Sequence, residues 1–398
     1  MGEIIYLVRN QEKMVKHSSR IELKQSAYKS NINFIRKKIG EKPILSSVVK
    51  ANAYGHGIES FVPMAEKCGI NHFCVASSFE AEQVHSVCKK DSHIVIMGII
   101  YHEDIPWAIE NDIGFFVYNY DRLPVALEAA KKVGKPARLH VEIETGANRT
   151  GMHDKEFPKA LNFLKKNKEW IYFEGLCTHF GGAESVANQF KIDMQHKRYK
   201  AALKICKEKN ILPELRHIAC SAAALAMKDT VYDLVRIGVA QYGFWPSPDV
   251  YFAHLHETNK KSDTSLKRIF TWKTDVMDIR EVKQGEFIGY GTAFQATYPM
   301  TVAVLPLGYS NGYPRALSNR GQVLIKGKKA PIVGLINMNL FMVDITHIPE
   351  VKVGDEVVLI GRQNNNVINV SSFTNVTQLL NNEMLSRLPA AIPRTVVR

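Results

Sequence analysis

Ile44-Leu45-Ser46-Ser47-Val48-Val49-Lys50-Ala51-Asn52-Ala53-Tyr54-Gly55-His56-Gly57 decides how this chain is read. The first half is a short apolar run rich in β-branched residues; the second half is small, polar and rich in glycine. That is a buried strand followed by a loop. Lys50 therefore stands at the carboxyl end of a strand. In a (β/α)8 barrel that end carries the chemistry. A lysine held there, desolvated by Val48 and Val49, would have a lowered pKa and could form a Schiff base. The strand by itself also fits a lysine that points to solvent, as most lysines do.

Outward from this stretch, strands and helices alternate. Strands are expected at 45–49, 72–76, 93–97, 114–117, 138–143, 173–178, 215–219 and 234–237, and helices at 25–39, 59–67, 80–89, 123–132, 157–167 and 188–209. That count over this length predicts a (β/α)8 TIM barrel. A doubly wound open sheet is the alternative, but no GxGxxG follows the first strand. After residue 250 the pattern changes. The polar stretch 251–267 reads as a linker or loop. Short alternating runs follow at 269–279, 286–290, 301–306, 322–325, 331–334, 341–345 and 356–360, which predict a C-terminal all-β domain. The expected division is an N-terminal extension at 1–20, a barrel at 21–262 and a β domain at 263–398.

Composition narrows the function. With 398 residues, 45% of them hydrophobic, the chain can bury two domain cores. The net charge of +13 fits either an ordinary basic surface or a field that favours anionic cofactors and substrates. Zinc spacing, an RNP-like aromatic sequence and a dense basic tail are all missing from the sequence, so no nucleic acid is expected as a partner. The six cysteines contain no CxxC pair and read as reduced thiols. The apolar run at 4–8 is too short for a signal peptide, and no stretch reaches the ~18 apolar residues of a membrane span. A soluble, cytoplasmic protein without a membrane or metal site is expected.

Lys50-Ala51-Asn52-Ala53-Tyr54-Gly55-His56-Gly57 resembles the attachment motif for pyridoxal 5'-phosphate (PLP) in the alanine racemase family. The resemblance extends from about residue 21 to 394. It implies a TIM barrel followed by a β domain, and an amino-acid racemase working on a small-molecule substrate. His140-Val141-Glu142-Ile143-Glu144-Thr145-Gly146-Ala147-Asn148-Arg149 is similar to the segment whose arginine binds the substrate carboxylate. Thr178-His179-Phe180 resembles the segment holding a histidine beside a catalytic tyrosine. His217-Ile218-Ala219-Cys220-Ser221 resembles the segment whose serine holds the phosphate, and Val235-Arg236-Ile237-Gly238-Val239 the one whose arginine faces the pyridine nitrogen. Tyr290-Gly291-Thr292 is similar to the segment of the second catalytic base. Pro306-Leu307-Gly308-Tyr309 and Asn337-Met338-Asn339 resemble the edge of the site contributed by a partner subunit.

The resemblance thus implies Lys50 and Tyr290 as catalytic bases. Tyr54, His179, Ser221, Arg236, Gly238 and Val239 join Lys50 in binding PLP, and Arg149, Met338 and Tyr309 contact the substrate. It also implies a homodimer with shared sites, Tyr290 of one subunit facing Lys50 of the other. The chemistry is coherent. Racemisation takes an α-proton from one face and returns it on the other. It therefore needs an electron sink and a base on each face. Tyrosine, with a reference pKa of ~10, can be a base only if its phenolate is stabilised; His179 beside cationic Arg236 could do this. A guanidinium does not give its proton to the pyridine nitrogen, which disfavours transamination and decarboxylation.

Two departures affect the binding residues. Glu142 stands where many relatives carry a carbamylated lysine, and its carboxylate is expected to orient Arg149. Asn382 stands at the place of a phosphate-binding tyrosine. Alanine is the expected substrate, with serine or a broader range of amino acids as the alternative. A decarboxylase of similar architecture is disfavoured by Arg236, and a single-domain PLP carrier by the second domain.

Overall fold

The computed structural model describes residues 15–398. The apolar run at 4–8 and most of the expected extension lie outside them. The described chain forms two compact units. One comprises Glu22–Phe270 with Leu385–Arg387 and Thr395–Arg398; the other comprises Thr271–Met384, Leu388–Arg394 and the described residues up to Ile21.

The strands in chain order begin with β1 (Ser19–Lys24) and continue through β2 (Ile44–Val48), β3 (His72–Ser77), β4 (His93–Ile99), β5 (Gly114–Val117), β6 (Ala137–Glu142), β7 (Ile171–Cys177), β8 (Leu215–His217) and β9 (Leu234–Ile237). Strands β2 to β9 form an eight-stranded parallel sheet in the order β8-β7-β6-β5-β4-β3-β2-β9. It closes where Arg236 N donates to Ala219 O (3.0 Å) and Asp233 N to Arg216 O (3.1 Å). This is the expected barrel. β5 and β9 are buried along their whole length, as parallel strands covered by helices must be.

The segment after Lys50 is more ordered than a loop. Ala51, Asn52, Ala53 and Tyr54 have φ of 52°, 51°, 54° and 54°, a turn of left-handed helix. Such a conformation costs roughly 1–2 kcal/mol per residue for residues with a Cβ. Hydrogen bonds hold it: Ala53 N to Val49 O (2.8 Å), Gly55 N to Ala51 O (2.9 Å) and Ile58 N to Asn52 Oδ1 (2.8 Å). Below it, Gln241 joins the strand end to its surroundings. Its Nε2 donates to Val48 O (3.1 Å), and its Oε1 accepts from Ser47 Oγ (2.7 Å).

The stretch expected as a linker begins inside a helix, Pro248–Thr258. Ser247 caps that helix by accepting from Val250 N, and Pro248 opens it. His254 stacks on Trp245, with 5.0 Å between ring centroids, giving the polar segment a packed face.

The second unit is built on β10 (Phe270–Asp275), β11 (Asp278–Val282), β12 (Met300–Leu305), β13 (Gln322–Ile325), β14 (Lys328–Val333), β15 (Phe341–Asp344), β16 (Glu356–Gln363) and β17 (Asn366–Ile368); β18 (Arg394–Val397) comes last, with residues 395–397 in the first unit. The sheet order is β11-β12-β15-β14-β13-β16-β10-β1-β18, with β17 on β16. One core cluster consists of Ile288, Ala296, Met300, Val302, Val333 and Met342. Helices Val370–Thr377 and Asn381–Ser386 follow β17, and Asn382 lies in the second. The strand expected at 286–290 does not form; Phe287 makes only an isolated bridge to Gln295. Gly289 and Gly291, with φ of 79° and 66°, turn the chain away from an extended path. No described helix is long and apolar enough to cross a membrane, and all six cysteines are free thiols.

Candidate active site

The barrel brings its candidate residues to one end. β2 leads into Lys50, β6 into the Glu142–Arg149 segment, β7 into Thr178 and His179, β8 into Ser221, and β9 into Gly238 and Val239. Arg236 lies inside β9 itself. Each is at or just beyond the carboxyl end of a strand, where the backbone leaves the sheet and side chains can converge.

Lys50 is exposed at this end, above buried Val48 and Val49. Its ammonium is held below the usual lysine range by desolvation and by Arg149; Glu80 opposes this and Arg236 adds to it. His179 is pressed to about 3 by burial, with Arg236, Arg149 and Lys50 adding to the effect. It is therefore neutral. Arg236 Nη2 lies 3.5 Å from His179 Nδ1. Because a guanidinium can only donate, Nδ1 accepts and the His179 proton sits on Nε2.

Buried Arg236 is held through both terminal nitrogens. Nη2 donates to Thr178 O (2.8 Å); Nη1 donates to His217 O (3.1 Å) and lies 2.5 Å from His217 Nδ1. His217 Nε2 is 2.9 Å from His140 Nδ1, and His140 Nε2 is 3.2 Å from Glu174 Oε2. Arg138 completes the row, with Nη2 donating to Glu174 Oε1 (2.5 Å). The direction of the protons follows. Arg236 donates to His217 Nδ1, so neutral His217 carries its proton on Nε2 and donates to His140. His140 Nε2 in turn faces the Glu174 carboxylate. Burial, Arg236 and neighbouring histidines push His217 well below the usual imidazole range. Burial works against the Glu174 carboxylate, but His140 and Arg138 outweigh it and hold the group well below the usual carboxylate range.

Ser221 Oγ accepts from Gly238 N (2.9 Å) and Ala240 N (3.4 Å), which draws the hydroxyl and the turn after β9 together. A Cβ on Gly238 would fall 2.6 Å from Tyr54 Oη, so a side chain there would close this small cradle. Burial, with Cys220 nearby, pushes the Tyr54 phenol up to about 12, so it remains a donor.

Glu142 is buried, and burial raises its pKa, while the Thr150 side chain and the charges of Arg236 and Arg149 oppose this. Among the described residues the expected pairing with Arg149 is not made as a hydrogen bond or ion pair, though Arg149 acts on Glu142 by charge. The Arg149 guanidinium is carried on an exposed turn whose backbone is fastened instead by Glu144, which accepts from Gly146 N and from Arg149 N.

In the second unit Tyr309 and Met338 come together. Tyr309 N donates to Asn337 O (3.0 Å) and Ser310 N to Met338 O (3.1 Å). Tyr290 lies on the irregular segment between β11 and β12 and is 71% exposed.

These two units match two family models in chain order. Residues 23–246 match the alanine racemase N-terminal domain, and residues 269–396 the alanine racemase C-terminal domain. The chain belongs to the alanine racemase family. An alanine racemase of Leptospira interrogans is 33% identical over 381 residues, covering 96% of each chain. One of Methanococcus maripaludis is 32% identical over 386 residues, covering 96% of this chain and 99% of its own. Among solved structures, an alanine racemase of Clostridium difficile 630 superposes with a TM-score of 0.87 at 28% identity, covering 96% of this chain and 97% of its own. The alanine racemase of Bacillus anthracis with bound L-Ala-P gives 0.82 at 28% identity, covering 97% and 96%.

Some residues of this family member were not singled out from sequence: Gln241, Glu174, Arg138 and the roles of His140 and His217. A signal for part of the row exists. Arg138, His140 and Glu142 alternate with Leu139 and Val141 along β6, so three polar side chains share one face of a buried strand.

Proposed function

We propose that the chain interconverts L- and D-alanine with PLP, as a cytoplasmic homodimer in which each site draws on both subunits. One observation carries this reading: a lysine, a neutral histidine and a buried arginine share one barrel mouth, where burial and the neighbouring cations disfavour the protonated forms of Lys50 and His179. The residues fit the cofactor. Tyr54, the Ser221 hydroxyl and the Val239 N–H offer donors to a phosphate, Gly238, whose N–H is given to Ser221 Oγ, leaves room for it, Arg236 would face the pyridine nitrogen, and Lys50 is the amine for the aldehyde.

When bound, PLP supplies the electron sink that lets a weak carbon acid ionise. The chain's own residues do the rest. Arg149 meets the substrate carboxylate. Lys50, with its lowered pKa, holds or returns the α-proton on one face. The partner subunit's Tyr290 serves the other face, and the Nε2–H of His179 donates to the phenolate. Arg236 keeps its proton throughout. The exposure of Tyr290 and Met338 on one unit, and of Phe79 and Tyr101 on the other, supports a dimer that covers such surfaces.

Turnover of PLP-loaded protein against a panel of L-amino acids tests the substrate, with alanine expected to be fastest. A faster reaction with serine would reassign it. Borohydride reduction and peptide mapping should place the pyridoxyl group on Lys50. Mixed dimers of Tyr290→Phe and Lys50→Ala chains should regain activity, because one of their two sites has both residues intact. Tagged mixed dimers with no more activity than the separate variants would reject sharing.

A further inference from the structure

The left-handed turn after Lys50 begins with backbone donors that its own hydrogen bonds do not use. Ala53 N and Gly55 N donate within the turn, but the first N–H groups have no carbonyl behind them, as at any helix start. Glu80 meets the first of them. Its Oε1 accepts from Ala51 N at 2.6 Å, while its Oε2 accepts from Ala76 N at 2.8 Å. One carboxylate thus ties the peptide that follows Lys50 to the end of β3. Glu80 is itself fixed, since its own N–H donates to Ser77 Oγ (3.2 Å) at the cap of helix Ser78–His85.

We propose that Glu80 is a positioning residue for Lys50: its carboxylate caps the left-handed turn that presents the lysine, and its charge offsets the guanidinium groups facing the ammonium. The second part follows from the groups around Lys50. Arg149 comes from the turn after β6, Arg236 from β9 and neutral His179 from the end of β7; Glu80 is the carboxylate acting on Lys50 in the opposite sense. The catalytic meaning of the inference rests on the reading of Lys50 as the cofactor lysine.

The full chain, freed of cofactor, tests the proposal. Lys50 is labelled with an amine-selective reagent over a range of pH and quantified by peptide mapping. Glu80→Gln keeps the shape and removes the charge; Glu80→Asp keeps the charge and shortens the reach. The Gln variant should shift the Lys50 labelling midpoint down by about half to one unit, or roughly three- to tenfold faster labelling below the midpoint. The Asp variant should keep a midpoint near that of the parent chain. A structural role alone would lower the melting temperature of both variants without separating their midpoints, and equal midpoints overturn the charge role. Amide exchange at Ala51 in the unaltered chain tests the cap even if the Gln variant does not fold. Slow exchange is expected, and exchange at the rate of an open loop overturns it. Because neither readout uses PLP, a borohydride map that misses Lys50 would refute the cofactor reading and leave this result standing.

Discussion

The two units carry their candidate residues in opposite ways. In the barrel unit, Arg236, His217, His140 and Glu174 are buried and joined in one row. In the sheet unit the core around Met300 and Val302 is apolar, and Tyr290, Tyr309 and Met338 stand exposed at 71%, 43% and 56%. The difference shows where each unit places its costs. A buried polar row requires every member to be paired, because an unpaired buried polar group is expensive. An exposed tyrosine needs no such support, and its environment can be supplied by a second subunit. Substitutions in the buried row of the barrel should therefore affect stability, and those at exposed residues such as Lys50 and Tyr290 chemistry alone.

Lys50→Ala should have the largest effect, a loss of racemisation of at least about 10⁴-fold. As Lys50 is exposed, the fold should survive, which circular dichroism of the variant would check. Tyr290→Phe comes next. It should cost about 10²- to 10⁴-fold in the L-to-D direction while leaving solvent exchange of the D-alanine α-proton. Its unfolding free energy should stay within about 0.5 kcal/mol of the parent; a larger change would break the contrast between the units.

Glu174→Gln should do the converse. It removes the charge from the end of the row and should cost roughly 1–3 kcal/mol in denaturant unfolding, because Arg138 and His140 lose their partner. An unchanged stability would mean that the row is not under the constraint inferred for it.

The smallest effect concerns pH. His72, held at about 3 by burial and by His140, and His179, also at about 3, remain neutral in the fold. The unfolded chain protonates such groups near pH ~6.5. Below that pH the unfolded state binds more protons, so stability falls with acidification, by up to about 1.4 kcal/mol per pH unit for each group. Melting curves between about pH 7 and pH 5 should show this slope, and His72→Gln should reduce it by one group's share.

Much of this was legible along the chain. The apolar strand runs and their helical intervals specify the barrel, because period and burial are local properties of a sequence. The motif containing Lys50, and the order of Arg149, His179, Ser221, Arg236 and Tyr290, pointed to the proposed site. Ala51 to Tyr54 gave no sign of a left-handed turn, since alanine disfavours that conformation and long-range bonds such as Ala51 N to Glu80 impose it. The 286–290 segment alternates like a strand but pairs only around Phe287 and Gln295, before Gly289 and Gly291 turn the chain away. Glu142 and Arg149 lie in one motif by sequence order, but the turn that carries Arg149 is fastened by Glu144. The identity and order of the chemical groups were thus written in the sequence. Which group donates to which, and which are neutral, was decided only by the tertiary structure, because hydrogen bonds and desolvation depend on distances between residues far apart in the chain.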